Sequence, residues 1–199
     1  DLDDHGTPLF DPATMQCGEA PVFIAGDANH DRPVLHEASH EGTVAGRNAA
    51  AWPEVTRTTR KVPLNIAFTR PEAAVIGTIP AADDDTHVTG EADFSDQGRA
   101  KVMVRAAGMA RLHARAGDGR LVGAELCAPG AEHLAHLLAW AVQCGMSASD
   151  VLEMPFYHPT LEEGLQSALR QICRQTEQSK PWNRDDDPLP GNRSGAPEG

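Results

Sequence analysis

Basic residues and aromatics are scarce in this chain. Seventeen Lys and Arg stand against 29 Asp and Glu over 199 residues, a formal net charge of −12. A surface of that sign repels a phosphate backbone and an anionic membrane face, so neither nucleic acid nor membrane is an expected partner. Long apolar runs are missing too: the stretch from Leu134 is broken by His136 and Gln143, while a bilayer span needs about 20 apolar residues. Cys17, Cys127, Cys144 and Cys173 lie far apart and form no C-x-x-C pair, which suits reduced thiols in a cytoplasmic protein. No G-x-G-x-x-G phosphate loop, no G-x-S-x-G elbow and no reactive cysteine context occurs. The chain opens on Asp1 with a polar, turn-rich run and no signal-peptide core, and reads as a piece of a longer polypeptide. What is present is an apolar fraction of 40%, enough to bury a core.

Ala20 to Asp27 is a short apolar run without alternation, the pattern of a strand buried on both faces. From Val34 to about Ala50 a helix is expected, with Leu35, Ala38, Gly42, Ala45 and Ala49 on a narrow small-residue face. Gly42 and Gly46 cost such a helix roughly 1 kcal/mol each against alanine, so another backbone or a flat ligand is expected against them. A polar joint bounded by Pro53 and Pro63 follows, and a domain boundary is placed near Arg60. Beyond it, strands are expected at 64–69 and 73–78, then an acidic loop over 80–85, then three strands at 100–105, 109–115 and 121–128. Helices follow at 131–143, from Ser147 with Asp150 three residues on, and from Thr160 to about Arg174. Strands followed by helices make an α+β domain. Three parts result: 1–60, an α/β layer; 61–175, an antiparallel sheet with helices; and 176–199, a Pro, Gly and charge-rich tail expected to be disordered.

Three places could carry chemistry. Asp27 ends the first strand pattern, where open α/β sheets place polar ligand contacts, although an Asx turn explains it equally well. The start of the next helix, at Val34, Leu35 and His36, offers free N–H groups to an electron-rich ligand edge; ordinary capping is the alternative. His36, Glu37, His40 and Glu41 have helical spacing, but the pattern is too brief for a metal site, and solvated helix residues are expected. The most informative run is MPFYHPTLEEGL: His158 precedes Pro159, and Glu163 stands three residues after Thr160. Glu163 could orient one ring nitrogen and leave the other as a base, or simply close a capping box with Thr160. The base reading needs a nucleophile from outside this chain.

The segments VFIAGDANHDRPVLHEASHEGTVAGRNAA, VPLNIAFTRPEAAVIG, GRLVGAELC and YHPTLEEGL, in that order, resemble the pyridine nucleotide-disulfide oxidoreductases, most closely the dihydrolipoamide dehydrogenases, over about Pro21 to Arg174. The resemblance implies a carboxyl-terminal portion of such an enzyme: the last part of an FAD-binding domain, then an interface domain that builds a homodimer. It assigns Asp27 to the FAD ribityl chain, Val34 to His36 to the flavin's pyrimidine edge, and His158 with Glu163 to the base and its orienting acid beside the partner's redox disulfide. NAD would be the co-substrate and a small dithiol or lipoyl protein the reductant. Phe156 and Tyr157 depart from the smaller His-Ala-like pair usual in dihydrolipoamide dehydrogenases, which leaves the dithiol open. The redox cysteines and nucleotide-binding loops lie outside this chain, so alone it is not expected to turn over. A glutathione reductase-like disulfide reductase using NADPH and a non-catalytic dimerisation module are the rival readings, and the second has no need of His158, Pro159 and Glu163.

Overall fold

A computed structural model describes residues 1–176 and divides into two units, Asp1–Lys61 and the chain from Val62 onward. In the first, the expected strand over Ala20 to Asp27 does not form. Phe23 makes a single bridge with Gln16, Ala20 to Val22 are exposed, and Gly26–Asn29 winds into a 3₁₀ turn. A strand buried on both faces needs neighbours on either edge, and among the described residues this run is met only briefly, by Met15 to Cys17, through Cys17 N–H to the Val22 carbonyl at 2.8 Å and Ile24 N–H to the Met15 carbonyl at 3.0 Å. Helix α1 spans Leu35–Ala51. Its buried stripe is Glu37, Glu41, Val44, Ala45 and Asn48, rotated away from the expected face. Gly42 and Gly46 are exposed, and a Cβ added at either would meet nothing within 4 Å. Met15, Val44 and Ala45 are the buried apolar residues here, with Phe10, Phe23 and Ala25 packed around them. Asn48 ties the unit together: its amide donates to the Thr14 and Thr56 carbonyls at 2.9 and 3.0 Å and accepts from the Thr56 amide at 2.9 Å.

The second unit is built on an antiparallel sheet of β1 (Leu64–Ala67), β2 (Ala73–Gly77), β3 (His87–Asp93), β4 (Met109–Arg115) and β5 (Leu121–Cys127), in the order β1-β2-β5-β4-β3. Period-two burial makes these strands one-faced: Ala74, Ile76, Leu112, Ala124 and Leu126 point into one core. Onto that face pack α3 (Ala131–Gln143), through Leu134 and Leu138, and α5 (Leu165–Thr176), through Leu165, Leu169 and Ile172. Each such side chain, fully withdrawn from water, contributes about 1.5–3 kcal/mol. Between the two helices lies α4 (Ala148–Leu152), started by a capping box of Ser147 and Asp150.

The 100–105 segment, expected as a strand, is instead helix α2 (Gly98–Val102) and its exit turn. The Gln97 side chain accepts a hydrogen bond from the Ala100 amide and caps the turn, while Val102 and Val104 are exposed. The position beside β4, the strand that follows it in sequence, is not open to this segment, because β4 is already flanked by β5 and β3. Strand β3, in turn, was not expected. It pairs with β4 over seven residues, from His87 opposite Arg115 to Asp93 opposite Met109. Gly90 lets α5 rest on β3 at backbone range, since a Cβ there would lie 2.0 Å from the Ala168 carbonyl oxygen. The outer edge of β3 is covered by side-chain amides: Gln171 donates to the Glu91 carbonyl and accepts from its N–H at 2.8 and 3.0 Å, and Gln175 donates to the Thr89 carbonyl at 2.7 Å. Helix α5 runs through Thr176, two residues past its expected end; the expected disordered tail otherwise lies outside the described residues. Among the described residues no helix is long and apolar enough to cross a membrane.

Candidate active site

The 157–164 loop enters α5 through a 3₁₀ turn at Glu162–Gly164 rather than by a cap at Thr160. Its sequence dictates this: Pro159 has no N–H to give, and the Thr160 hydroxyl turns back to donate to the Tyr157 carbonyl at 2.8 Å. The Glu163 carboxylate then has two donors within reach. His158 Nδ1 lies 2.9 and 3.1 Å from its two oxygens, and the Thr160 amide donates to Oε2 at 2.9 Å. The two readings of Glu163, cap and orienter, are therefore not rivals, because one carboxylate does both. Half of the capping box forms; the other half is lost to the Tyr157 contact.

The carboxylate accepts, so Nδ1 carries the proton and the lone pair of the neutral ring resides on Nε2. Among the described residues Nε2 has no hydrogen-bond partner, and the His158 side chain is 80% exposed. The Glu163 side chain is 26% exposed. A held ring with its free nitrogen in the open can take a proton from a group that some other molecule brings. Beside it runs an open groove of about 480 Å³, lined in part by Met103, Leu134, Tyr157 and Leu161. Tyr157 is itself exposed.

The sheet holds a second histidine that sequence reasoning passed over. His113 on β4 is buried, with Nδ1 3.1 Å from the Thr89 hydroxyl and Nε2 3.3 Å from Glu125. Burial pushes its pKa below the ordinary value, and Glu125 opposes that shift without cancelling it.

In the first unit, Asp27 sits exposed within the Gly26–Asn29 turn, its carbonyl accepting from the His30 amide at 3.3 Å. Val34 is the residue before α1 and supplies no side-chain cap, as valine has no acceptor. Leu35 is 87% exposed and His36 is exposed. The turn and the helix start belong together: a Cβ at Gly26 would lie 3.1 Å from that of Ala38. An exposed carboxylate, an uncapped helix start and a bare leucine thus share one end of this unit.

What holds that end in place was not foreseen. Glu41 is fully buried, and its Oε2 accepts from the Gly26 amide and the Asn29 side chain at 2.7 Å each. Its Oε1 accepts from Arg60 at 2.6 Å; Arg60 also pairs with Glu37 at 3.0 Å and Asp31 at 3.1 Å, and Arg32 meets Glu37 at 3.2 Å. Burial pushes the Glu37 carboxyl up, but hydrogen bonds from Arg60 and then Arg32 outweigh it and hold it below its ordinary value. These glutamates are neither solvated nor metal-facing, and among the described residues no three His, Cys, Asp or Glu converge as metal ligands would. The legible signal was two acids one turn apart on the helix with arginines on both sides in sequence.

Comparison with known proteins gives consistent matches. Residues 64–169 match the model of the pyridine nucleotide-disulphide oxidoreductase dimerisation domain. A dihydrolipoyl dehydrogenase of Haloferax volcanii is 34% identical over 151 residues, 74% of this chain and 31% of that protein. One of Geobacillus stearothermophilus is 31% identical over 145 residues, 71% of this chain and 30% of that protein. The chain thus spans about a third of the length of these curated relatives. Among solved structures, LpdA of Mycobacterium tuberculosis superposes with a TM-score of 0.73 at 23% identity, covering 86% of this chain and 38% of that one. The Cu(II) complex of the HOCl-induced flavoprotein disulfide reductase RclA of Escherichia coli gives 0.72 at 16% identity, covering 86% and 40%. At these identities the two structures speak for the fold.

Proposed function

The chain belongs to the pyridine nucleotide-disulphide oxidoreductases through their dimerisation domain, and from that premise we propose that it serves a dihydrolipoyl dehydrogenase-like flavoenzyme as the part that supplies the base. The observation that carries this reading is the His158–Glu163 pair, with Nδ1 engaged and Nε2 open to an incoming group. In a homodimer, His158 of one protomer would stand beside the redox disulfide of its partner. Nε2 takes the proton of one substrate thiol; the thiolate attacks a sulfur of that disulfide, the S–S bond breaks, and the imidazolium stabilises the thiolate released. The second substrate thiol then displaces the mixed disulfide, leaving substrate oxidised and the enzyme's sulfur pair reduced. Glu163 keeps the ring in the tautomer this requires and offsets its charge once protonated.

The first unit fits a flavin in part. Asp27, exposed in its turn, would accept hydrogen bonds from a polyol chain, and the start of α1 at Val34, Leu35 and His36, which has no side-chain cap, would meet an electron-rich ring edge. FAD, when bound, would supply the two-electron acceptor between the sulfur pair and NAD+. Arg60 and Glu41 hold the turn and helix start in register for that contact.

The test is dithiol-dependent reduction of NAD+ by the whole protein that contains this chain, with His158→Gln and Glu163→Gln beside wild type. Loss of a general base lowers kcat by about 10²–10⁴-fold, with flavin still bound; Glu163→Gln, which keeps a hydrogen-bond acceptor but not the charge, should lose less. An unchanged rate in His158→Gln would overturn the assignment.

A further inference from the structure

One residue of the His158 loop, Thr160, has all three of its polar groups committed, one of them to a side chain outside the loop. The Thr160 amide goes to Glu163 and its hydroxyl to the Tyr157 carbonyl, both within the loop. Its carbonyl goes to Gln97, whose Nε2 donates at 2.6 Å across 63 residues of sequence. The amide of Gln97 cannot swivel freely, because its Oε1 accepts from the Ala100 N–H at 2.7 Å to start α2. Its stem touches the same loop, since a Cβ at Gly164 would lie 3.3 Å from Gln97 Cγ and 2.9 Å from the ring of the fully buried Phe94. Phe94 and Gln97 are thus the floor on which the turn carrying Glu163 rests. The geometry points to Gln97 as a positioning residue for His158: by fixing Thr160 it fixes where Glu163 holds the imidazole. This rests on the reading of His158 as the base, and it adds a residue that neither touches substrate nor lies near His158 in sequence.

The variant that isolates the donated bond is Gln97→Glu. A glutamate can still accept from Ala100 and start α2, but it sets a carboxylate oxygen against the Thr160 carbonyl where a donor stood. Gln97→Met, of similar length, removes both bonds and serves as the second variant. The readout is the nitrogen spectrum of the His158 ring in the 199-residue chain, recorded where the ring is neutral, with sheet amide shifts as the measure of folding. In wild type, Nδ1 is expected as the protonated nitrogen and Nε2 as the bare one. In both variants that signature is expected to give way to a mixture of tautomers while the sheet shifts stay in place. A merely structural Gln97 would lower the melting temperature and leave the ring nitrogens as in wild type, and that result overturns the proposal. In the whole protein Gln97→Glu should lower kcat by about one to two orders of magnitude, the scale of a misplaced catalytic group. The two readings fail separately. Full turnover in His158→Gln removes the base and leaves the tautomer result standing, whereas unmoved ring nitrogens in the Gln97 variants remove the positioning role and leave the base.

Discussion

The two units of this chain hold their candidate site residues by opposite means. In the first, the buried Glu41 and Glu37 are held by Arg60 and Arg32, with the exposed Asp31 at the rim of the network, beside an apolar cluster of little more than Met15, Val44 and Ala45. In the second, Ile76, Leu112, Leu134, Leu169 and their neighbours form a continuous apolar core, and the polar contacts that matter sit at its rim, on the 157–164 loop. A burial-driven core is non-directional and forgives small shifts; an ion-pair network fixes directions but fails badly when one member is lost. The turn bearing Asp27 is therefore exact in geometry and fragile, while the seat of His158 is robust with a few adjustable bonds.

That contrast can be broken experimentally. The largest effect is expected from Arg60→Met, which leaves the fully buried Glu41 carboxylate without its cation and Glu37 with Arg32 alone, at a cost of about 3–5 kcal/mol. Hydrogen exchange should show the Gly26 amide losing protection while β4 and β5 keep theirs; equal loss in both units would end the distinction. Leu112→Ala should cost the second unit about 2–5 kcal/mol by opening a cavity, measured by denaturant unfolding, without disturbing Gly26 exchange.

Titration sharpens the comparison. The Glu37 carboxyl is held below its ordinary 4.5 in the folded chain, so its contribution is present above that pH and is lost as pH falls through the lower folded value. His113 is likewise held below its ordinary 6.5, so folding favours the neutral ring; its contribution is whole above pH 6.5 and declines on acidification below it. Acid should thus weaken the sheet first, through His113, and the charged turn later. His113→Gln should flatten the first phase alone in a pH series of thermal melts. The smallest effect is expected at Val104, a β-branched residue at φ 56° that is 92% exposed in the exit of α2. Val104→Asn should raise the stability of the second unit by about 1 kcal/mol, since asparagine adopts that conformation more readily.

Legibility in the sequence followed the same divide. Strands β1, β2, β4 and β5 and helices α3 and α4 were readable because their patterns record which face is buried, and burial is what holds them. Strand β3 escaped because Gly90 weakens its local pattern; its place comes from pairing with β4 and from the approach of α5. The 100–105 run misled because it places Ala100, Val102 and Val104 at alternate positions, yet the place beside β4 is taken by β3. In the first unit the apolar stripe on α1 was misplaced, since the buried face there carries two glutamates and an asparagine, which periodicity of apolar residues cannot find. His158 and Glu163 were identifiable from Pro159 and the spacing, but not that one carboxylate both caps and orients. Gln97 left no local signal, its partner lying 63 residues on.

The central claim is that the imidazole of one protomer works on the sulfur pair of the other. It is tested most directly by mixing two inactive forms of the whole protein, one carrying His158→Gln and one lacking its redox cysteines, under conditions that exchange subunits. The account predicts that the heterodimer oxidises dithiol although neither parent does, because one of its two sites is then complete. Heterodimers that form, bind flavin and still show no dithiol oxidation would contradict it.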